Sequence, residues 1–138
     1  LDDDMDDGDD DGDGDDDDDG MDLWFVMNGD WIDGTGLAMD GDPSYLIPIL
    51  QKMPWDVVNT GNHELYKSTV IDYMRRPGGI IDWWGEGRYL ASNVVMTETP
   101  HEGLSRHKYT LLKGRHATVL VFGFLYDLQD PADIVTVE

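Results

Sequence analysis

From Leu23 onward, apolar and polar positions alternate in blocks that define successive elements. Leu23, Trp24, Phe25, Val26 and Met27 form an unbroken apolar run that stops at Asn28-Gly29-Asp30. A short apolar run closed by a turn signal predicts a strand buried on both faces. Gly34, Gly36, Gly41 and Pro43 mark a loop, and Pro48 suits the first turn of a short helix that runs to about Met53 and ends at Pro54. Val57 and Val58 centre a second buried strand that reaches Gly61-Asn62-His63. A second helix is expected from about His63 to Arg76, with Tyr66, Val70, Tyr73 and Met74 on one face and Pro77-Gly78-Gly79 as its stop. Arg75 and Arg76 fall in its last turn, where cations complement the helix dipole. Arg88 to Val95, His107 to Leu112 and Thr118 to Leu125 read as strands, and Lys113-Gly114 reads as a hairpin turn between the last two.

The order strand, helix, strand, helix, strand predicts an α/β fold with parallel pairing and right-handed crossovers, a βαβαβ core followed by further strands. In such sheets functional groups gather just beyond the carboxyl ends of the strands. Two polar clusters occupy such ends: Gly29-Asp30-Trp31-Ile32-Asp33-Gly34 and Gly61-Asn62-His63-Glu64. Parallel neighbours would bring them to one rim.

Composition adds a second object. The 138 residues carry a formal charge of −21. Fifteen of the aspartates fall within residues 1–22, which leaves −6 for residues 23–138. Such a tract cannot bury enough apolar area to offset its ordering entropy, so residues 1–22 are expected to form a disordered, self-repelling tail. Asp7, Asp9 and Asp11 before Gly12 imitate the start of a calcium loop, but the closing glutamate is absent and a solvated tail is the reading. The acidity excludes a partner that is a nucleic-acid polymer, and no apolar run is long enough for a membrane span. There is no cysteine, hence neither a disulfide framework nor a thiolate metal site. The chain opens on Leu1, not a methionine, and is expected to begin inside a longer protein; the tract lacks the pattern of a signal peptide.

The rim clusters carry the chemistry. Asp30 and Asn62 are oxygen ligands, and one carboxylate can hold two divalent cations about 4 Å apart, as in two-metal hydrolytic sites. His63 opens a helix, where backbone N–H groups favour an anion such as phosphate. Asp33 would fix its tautomer, and a His–Asp pair can donate a proton to a leaving alkoxide. Glu64 reads mainly as first-turn helix chemistry, with support of the neighbouring ligands as the lesser role. Plainer readings exist: Asp30, Asp33 and Gly34 as turn formers, and Asn62 as a helix cap. Trp24, Trp55, Trp83 and Trp84 read as core or rim packing, while Trp31, between the two aspartates, is placed to stack a base.

These motifs, together with the stretch "GDWIDGTGLA … PWDVVNTGNHELY … GRYLASNV … FGFLYD", resemble the calcineurin-like metallophosphoesterases, in particular the branch related to 5′-nucleotidases. The resemblance covers roughly Asp22 to Asp127. It implies a layered metallophosphoesterase-type sandwich over residues 23–138, present in part. It also implies two divalent metal ions (Mn, Zn, Fe or Mg), a phosphate-ester or nucleotide substrate, and a role in nucleotide catabolism. By that resemblance Asp30 bridges both metals, Asn62 binds the second, His63 is the proton donor and Asp33 its partner, with Gly29, Gly61 and Glu64 in support. Family members are often secreted or vacuolar. The family's Asp-x-His and Gly-His-x-His motifs have no counterpart here, since the later histidines, His101, His107 and His116, lie in other contexts and read as surface or strand positions. Many 5′-nucleotidases carry an aspartate where this chain has Tyr66. The expectation is therefore an incomplete domain; the alternatives are a non-catalytic remnant and an acidic cation-binding or interaction protein.

Overall fold

The computed structural model describes residues 20–32, 34 and 36–138. Asp33 and the aspartate tract with its calcium-loop imitation, as far as residue 19, lie outside the described residues. In chain order the elements are β1 (Val26–Met27), a 3₁₀ turn (Gly36–Gly41), α1 (Ile47–Leu50), β2 (Val57–Asn59), a second 3₁₀ turn (His63–Leu65) and α2 (Ser68–Arg75). They continue as α3 (Ile80–Trp83), α4 (Gly85–Arg88), β3 (Tyr89–Leu90), β4 (Val94–Met96), β5 (Tyr109–Lys113), β6 (Thr118–Phe122) and β7 (Val135–Val137).

The parallel sheet expected from the apolar runs is present. β1 pairs with β2 in the register Val26↔Val57, and β2 pairs with β3 in the register Val58↔Tyr89, both parallel. Helices α2, α3 and α4 fill the crossover from β2 to β3. α2 buries Val70, Ile71 and Met74, and these meet Val58, Leu65 and Ile80 in the main core. Tyr73 is partly buried there, while Tyr66, expected on the same face, is exposed. Pro48 occupies the first turn of α1, as the pattern predicts.

Three expectations are corrected. The first strand is not buried on both faces. It is two residues long and takes the sheet edge, where Leu23, Phe25 and Val26 are exposed while β2 beside it is buried. An apolar run reports a tendency to be covered, and in the described residues only one side of β1 has a pairing strand.

The helix expected from His63 to Arg76 breaks at Tyr66-Lys67. The backbone N–H of Ala132 donates to the Leu65 carbonyl (2.8 Å), an acceptor that a continuous helix would satisfy four residues on. Lys67 is extended and α2 starts afresh. The strand expected from Arg88 to Val95 also divides. Its first part, β3, joins the parallel sheet; its second part, β4, pairs antiparallel with β7. Between them Asn93 donates from Nδ2 to the Leu125 carbonyl (2.8 Å) and accepts from the Leu125 N–H (3.0 Å), which turns the chain out of one sheet and into another.

β5 and β6 form the expected hairpin, closed by a Gly114 N–H bond to the Ala117 carbonyl (2.8 Å). Asp22 accepts backbone N–H bonds from Arg115, His116 and Ala117 at 2.7, 2.8 and 3.1 Å and so clasps that turn. Among the described residues no helix is long and apolar enough to cross a membrane.

Candidate functional site

The parallel pairing of β1 and β2 puts the two polar clusters side by side, and their backbones touch. Gly29 has φ +91°, and a Cβ there would fall on the backbone of Gly61; a Cβ on Gly61 would fall on the Asp30 carboxylate and backbone. Both glycines are therefore required by the approach of the two loops. Asp30 itself has φ +56°, a left-handed conformation uncommon for any residue with a side chain. This turn aims its carboxylate at the second cluster, where Oδ1 accepts the His63 N–H (3.1 Å).

Glu64 is the joint between the clusters. Its side chain is fully buried, with Oε2 accepting from the Asp30 and Gly61 N–H groups (2.9 and 2.7 Å) and Oε1 accepting from the Ile32 N–H (2.8 Å). Burial raises its pKa above the ordinary carboxylate value, and the nearby Asp30 charge adds to this; the three N–H donors pull the other way. Sequence reasoning placed Glu64 chiefly in first-turn helix chemistry, with support of the neighbouring ligands as its lesser role. The structure gives it a tertiary role, because three donors from two loops share one carboxylate.

The expected helix N-terminus at His63 is a single 3₁₀ turn of three residues, whose first N–H is already bound to Asp30. It does not provide a free cluster of N–H groups for an anion. Asn62 begins this turn without capping it through its side chain, which removes the plainer reading of that residue. Its amide points elsewhere: Nδ2 donates to the Asp30 carboxylate oxygens at 3.1 and 3.3 Å, while Oδ1 accepts from the Tyr66 hydroxyl (2.6 Å). The Tyr66 ring also packs edge-on to the His63 imidazole, with centroids 5.5 Å apart. Tyr66 was legible as part of an expected helix face and as a departure from a family pattern; its two contacts bring it to Asn62 and His63. Asp33, expected to orient His63, lies outside the described residues.

Trp31 does not stack in the open. It is buried and packs edge-to-face on Trp84 at 5.9 Å, so its indole belongs to the core beneath the site. His101, His107 and His116 are exposed, and among the described residues none of them belongs to a group that could hold a metal ion.

No family model matches the chain. It is 33% identical over 122 residues to an uncharacterised protein of Schizosaccharomyces pombe, a match covering 83% of this chain and 19% of that protein. A secreted protein of Arthroderma benhamiae is 30% identical over 119 residues, covering 83% of this chain and 17% of its own length. Among solved structures, a 5′-nucleotidase from Candida albicans superposes with a TM-score of 0.69 at 27% identity, over 85% of this chain and 22% of the other. The fold is a partial 5′-nucleotidase-like α/β domain. The chain spans about a fifth of the length of each of these proteins.

Such a neighbour suggests divalent-metal use in the family. The Asn62 amide meets the Asp30 carboxylate as its hydrogen-bond donor; reversing that amide would turn two side-chain oxygen ligands toward one flank of a hard cation. They are two ligands, not a full sphere: among the described residues no group of three or more His, Cys, Asp or Glu side chains converges.

Proposed function

We propose that this chain carries part of the site of a metal-dependent phosphoric-ester hydrolase of the 5′-nucleotidase type, acting on a nucleotide or related phosphate ester. The single observation that carries the reading is the convergence of the Asp30 and Asn62 side chains beside His63, on loops fixed to one another by Glu64. Divalent cations in such a site neutralise phosphoryl charge and supply an acidified water for in-line attack. The residues of this chain do the rest of the assigned work. Asp30 and Asn62 present oxygens to the cations, and Glu64 keeps the two loops in register. His63 holds a proton for the leaving alkoxide, and Asp33 is its proposed partner.

A second reading, a remnant that binds a cation without turnover, draws on the small number of converging ligands among the described residues. The two separate in one experiment on the full chain. Paramagnetic broadening by Mn²⁺ at Asn62 and His63, lost in Asp30→Ala, supports the cation site common to both; its persistence in Asp30→Ala rejects it. AMP hydrolysis then decides between them. With only two candidate ligands, turnover little above that of Asp30→Ala is expected, which is the remnant's outcome for the chain taken alone. Robust turnover that disappears in Asp30→Ala and His63→Ala would place the whole reaction here. In that case His63→Ala should slow AMP about 10²-fold or more while sparing 4-nitrophenyl phosphate, whose leaving group needs no proton.

A further inference from the structure

We propose that the outer edge of β6 is a self-association surface, on which a second copy of this chain pairs antiparallel through its own β6 about a two-fold axis at Leu120. The inference is independent of the cation reading of Asp30 and Asn62.

β6 is the outermost strand of its hairpin. The β5 side lies against the parallel sheet, since His107, just before β5, bridges to Leu90 of β3. The other side is open: among the described residues, no backbone group of residues 118–122 bonds outside the hairpin. The bond from the Gly114 N–H to the Ala117 carbonyl sets the alternation of the ladder. Val119 and Val121 therefore bond to β5, while the N–H and C=O groups of Thr118, Leu120 and Phe122 point away from it. Just beyond, Gly123 donates its N–H to Ser92 Oγ (2.9 Å) and accepts the Ser92 N–H (2.6 Å), which fixes the end of the strand.

Edge strands are ordinarily guarded by a charge, a proline or a bulge, and β6 has none of these. From Ala117 to Tyr126 there is no charged side chain, in a chain of which 28% is charged. No charge on the edge selects a foreign partner, and none repels an identical strand. The spacing is self-complementary. With the axis at Leu120, that residue meets its own mate, and Thr118 of each copy meets Phe122 of the other. Every such pair exchanges both backbone bonds, so the outward groups of the two strands are satisfied together. Leu120, 53% exposed, then packs on its mate across one face of the joint sheet. The register also accommodates the net charge of −21. It sends the two turns clasped by Asp22 to opposite ends of the sheet, with the Ala117 positions about 20 Å apart at ~3.4 Å per residue. That exceeds the Debye length of ~8 Å at physiological ionic strength.

The test combines sedimentation velocity with amide hydrogen exchange on the full chain in physiological salt. It covers about 0.05–1 mM protein, because interfaces well under ~1,000 Å² are weak. The expected result is a dimer that grows with concentration and slows exchange at Thr118, Leu120 and Phe122, while Val119 and Val121 are protected at every concentration. Leu120→Lys sets like charges face to face at the axis and should abolish both the dimer and the added protection. Should Leu120→Lys also expose the Val119 and Val121 amides, the hairpin itself is damaged, and Thr118→Lys at the end of the edge takes its place with the same expectation. A chain that stays monomeric, or one that assembles past the dimer, overturns the proposal. So does association that leaves the three outward amides unprotected, which would assign it to the exposed apolar face of the hairpin. Protection of those amides in the monomer overturns it as well, because another part of the chain would then cover the edge. A dimer undiminished in the lysine variants does the same.

Discussion

At the scale of single residues, the site combines one left-handed backbone and one carboxylate shared by three donors. Asp30 adopts φ +56°, where a Cβ is costly and glycine is not. Asp30→Gly is therefore expected to raise stability by about 1 kcal/mol relative to Asp30→Ala, while both lose the Mn²⁺ response at Asn62. Equilibrium urea unfolding measures the first effect, and equal stabilities would show the turn to be unstrained. Glu64 presents the opposite case. A glutamine there keeps the size but sets an N–H₂ group against one of the three backbone donors. Glu64→Gln should cost about 1–3 kcal/mol, the usual penalty for an unsatisfied buried group, and should weaken cation binding although Glu64 bears no ligand atom. Full stability in the glutamine variant would mean that the loops are held by other contacts.

At the scale of elements, the Asp22 clasp on the β5–β6 turn should respond to acid. The Arg115 and then the His116 backbone N–H groups lower the Asp22 pKa below its ordinary value, against a smaller opposing effect of desolvation. A lowered folded-state pKa means that the contribution is complete above the unfolded value and is lost as pH falls through the lowered one. The amide shifts of Arg115, His116 and Ala117 should thus stay constant down through the ordinary aspartate range and move only below it; in Asp22→Ala they should be displaced at every pH. Movement at the ordinary aspartate value would show the clasp to be open in solution. This contact also marks where sequence reading reaches its limit. β1 and β2, their parallel pairing and the shared rim were legible because they are written in local apolar runs and turn residues. The break after Leu65 and the division of β3 from β4 were not, because Ala132 and Leu125, far along the chain, make the bonds that impose them. The same applies to the site: Asp30, Asn62 and His63 stand out by residue type and order, whereas the roles of Glu64 and Tyr66 depend on what the folded loops bring within reach.

At the scale of the whole molecule, strong charge and open apolar surface coexist. Leu111, Leu120, Phe122, Phe124 and Tyr126 are all exposed on or just after the hairpin, and Phe122 stacks on Phe124 at 5.8 Å. Contiguous apolar surface of this kind favours association, and a formal charge of −21 opposes it. Removing residues 1–19 takes away fourteen aspartates but keeps Asp22 on its turn, and leaves −7. That shortened chain should self-associate at lower concentration than the full chain in sedimentation velocity; identical behaviour would dissociate solubility from the tract. The Glu64 joint has a further consequence, for the way the molecule opens. The amides of Asp30, Ile32 and Gly61 come from two segments far apart in the chain, yet all three end on a single carboxylate. None can be released to solvent without disturbing the acceptor of the others. In deuterium exchange they should behave as one cooperative unit, with a common opening free energy, and in Glu64→Ala all three should exchange fast together.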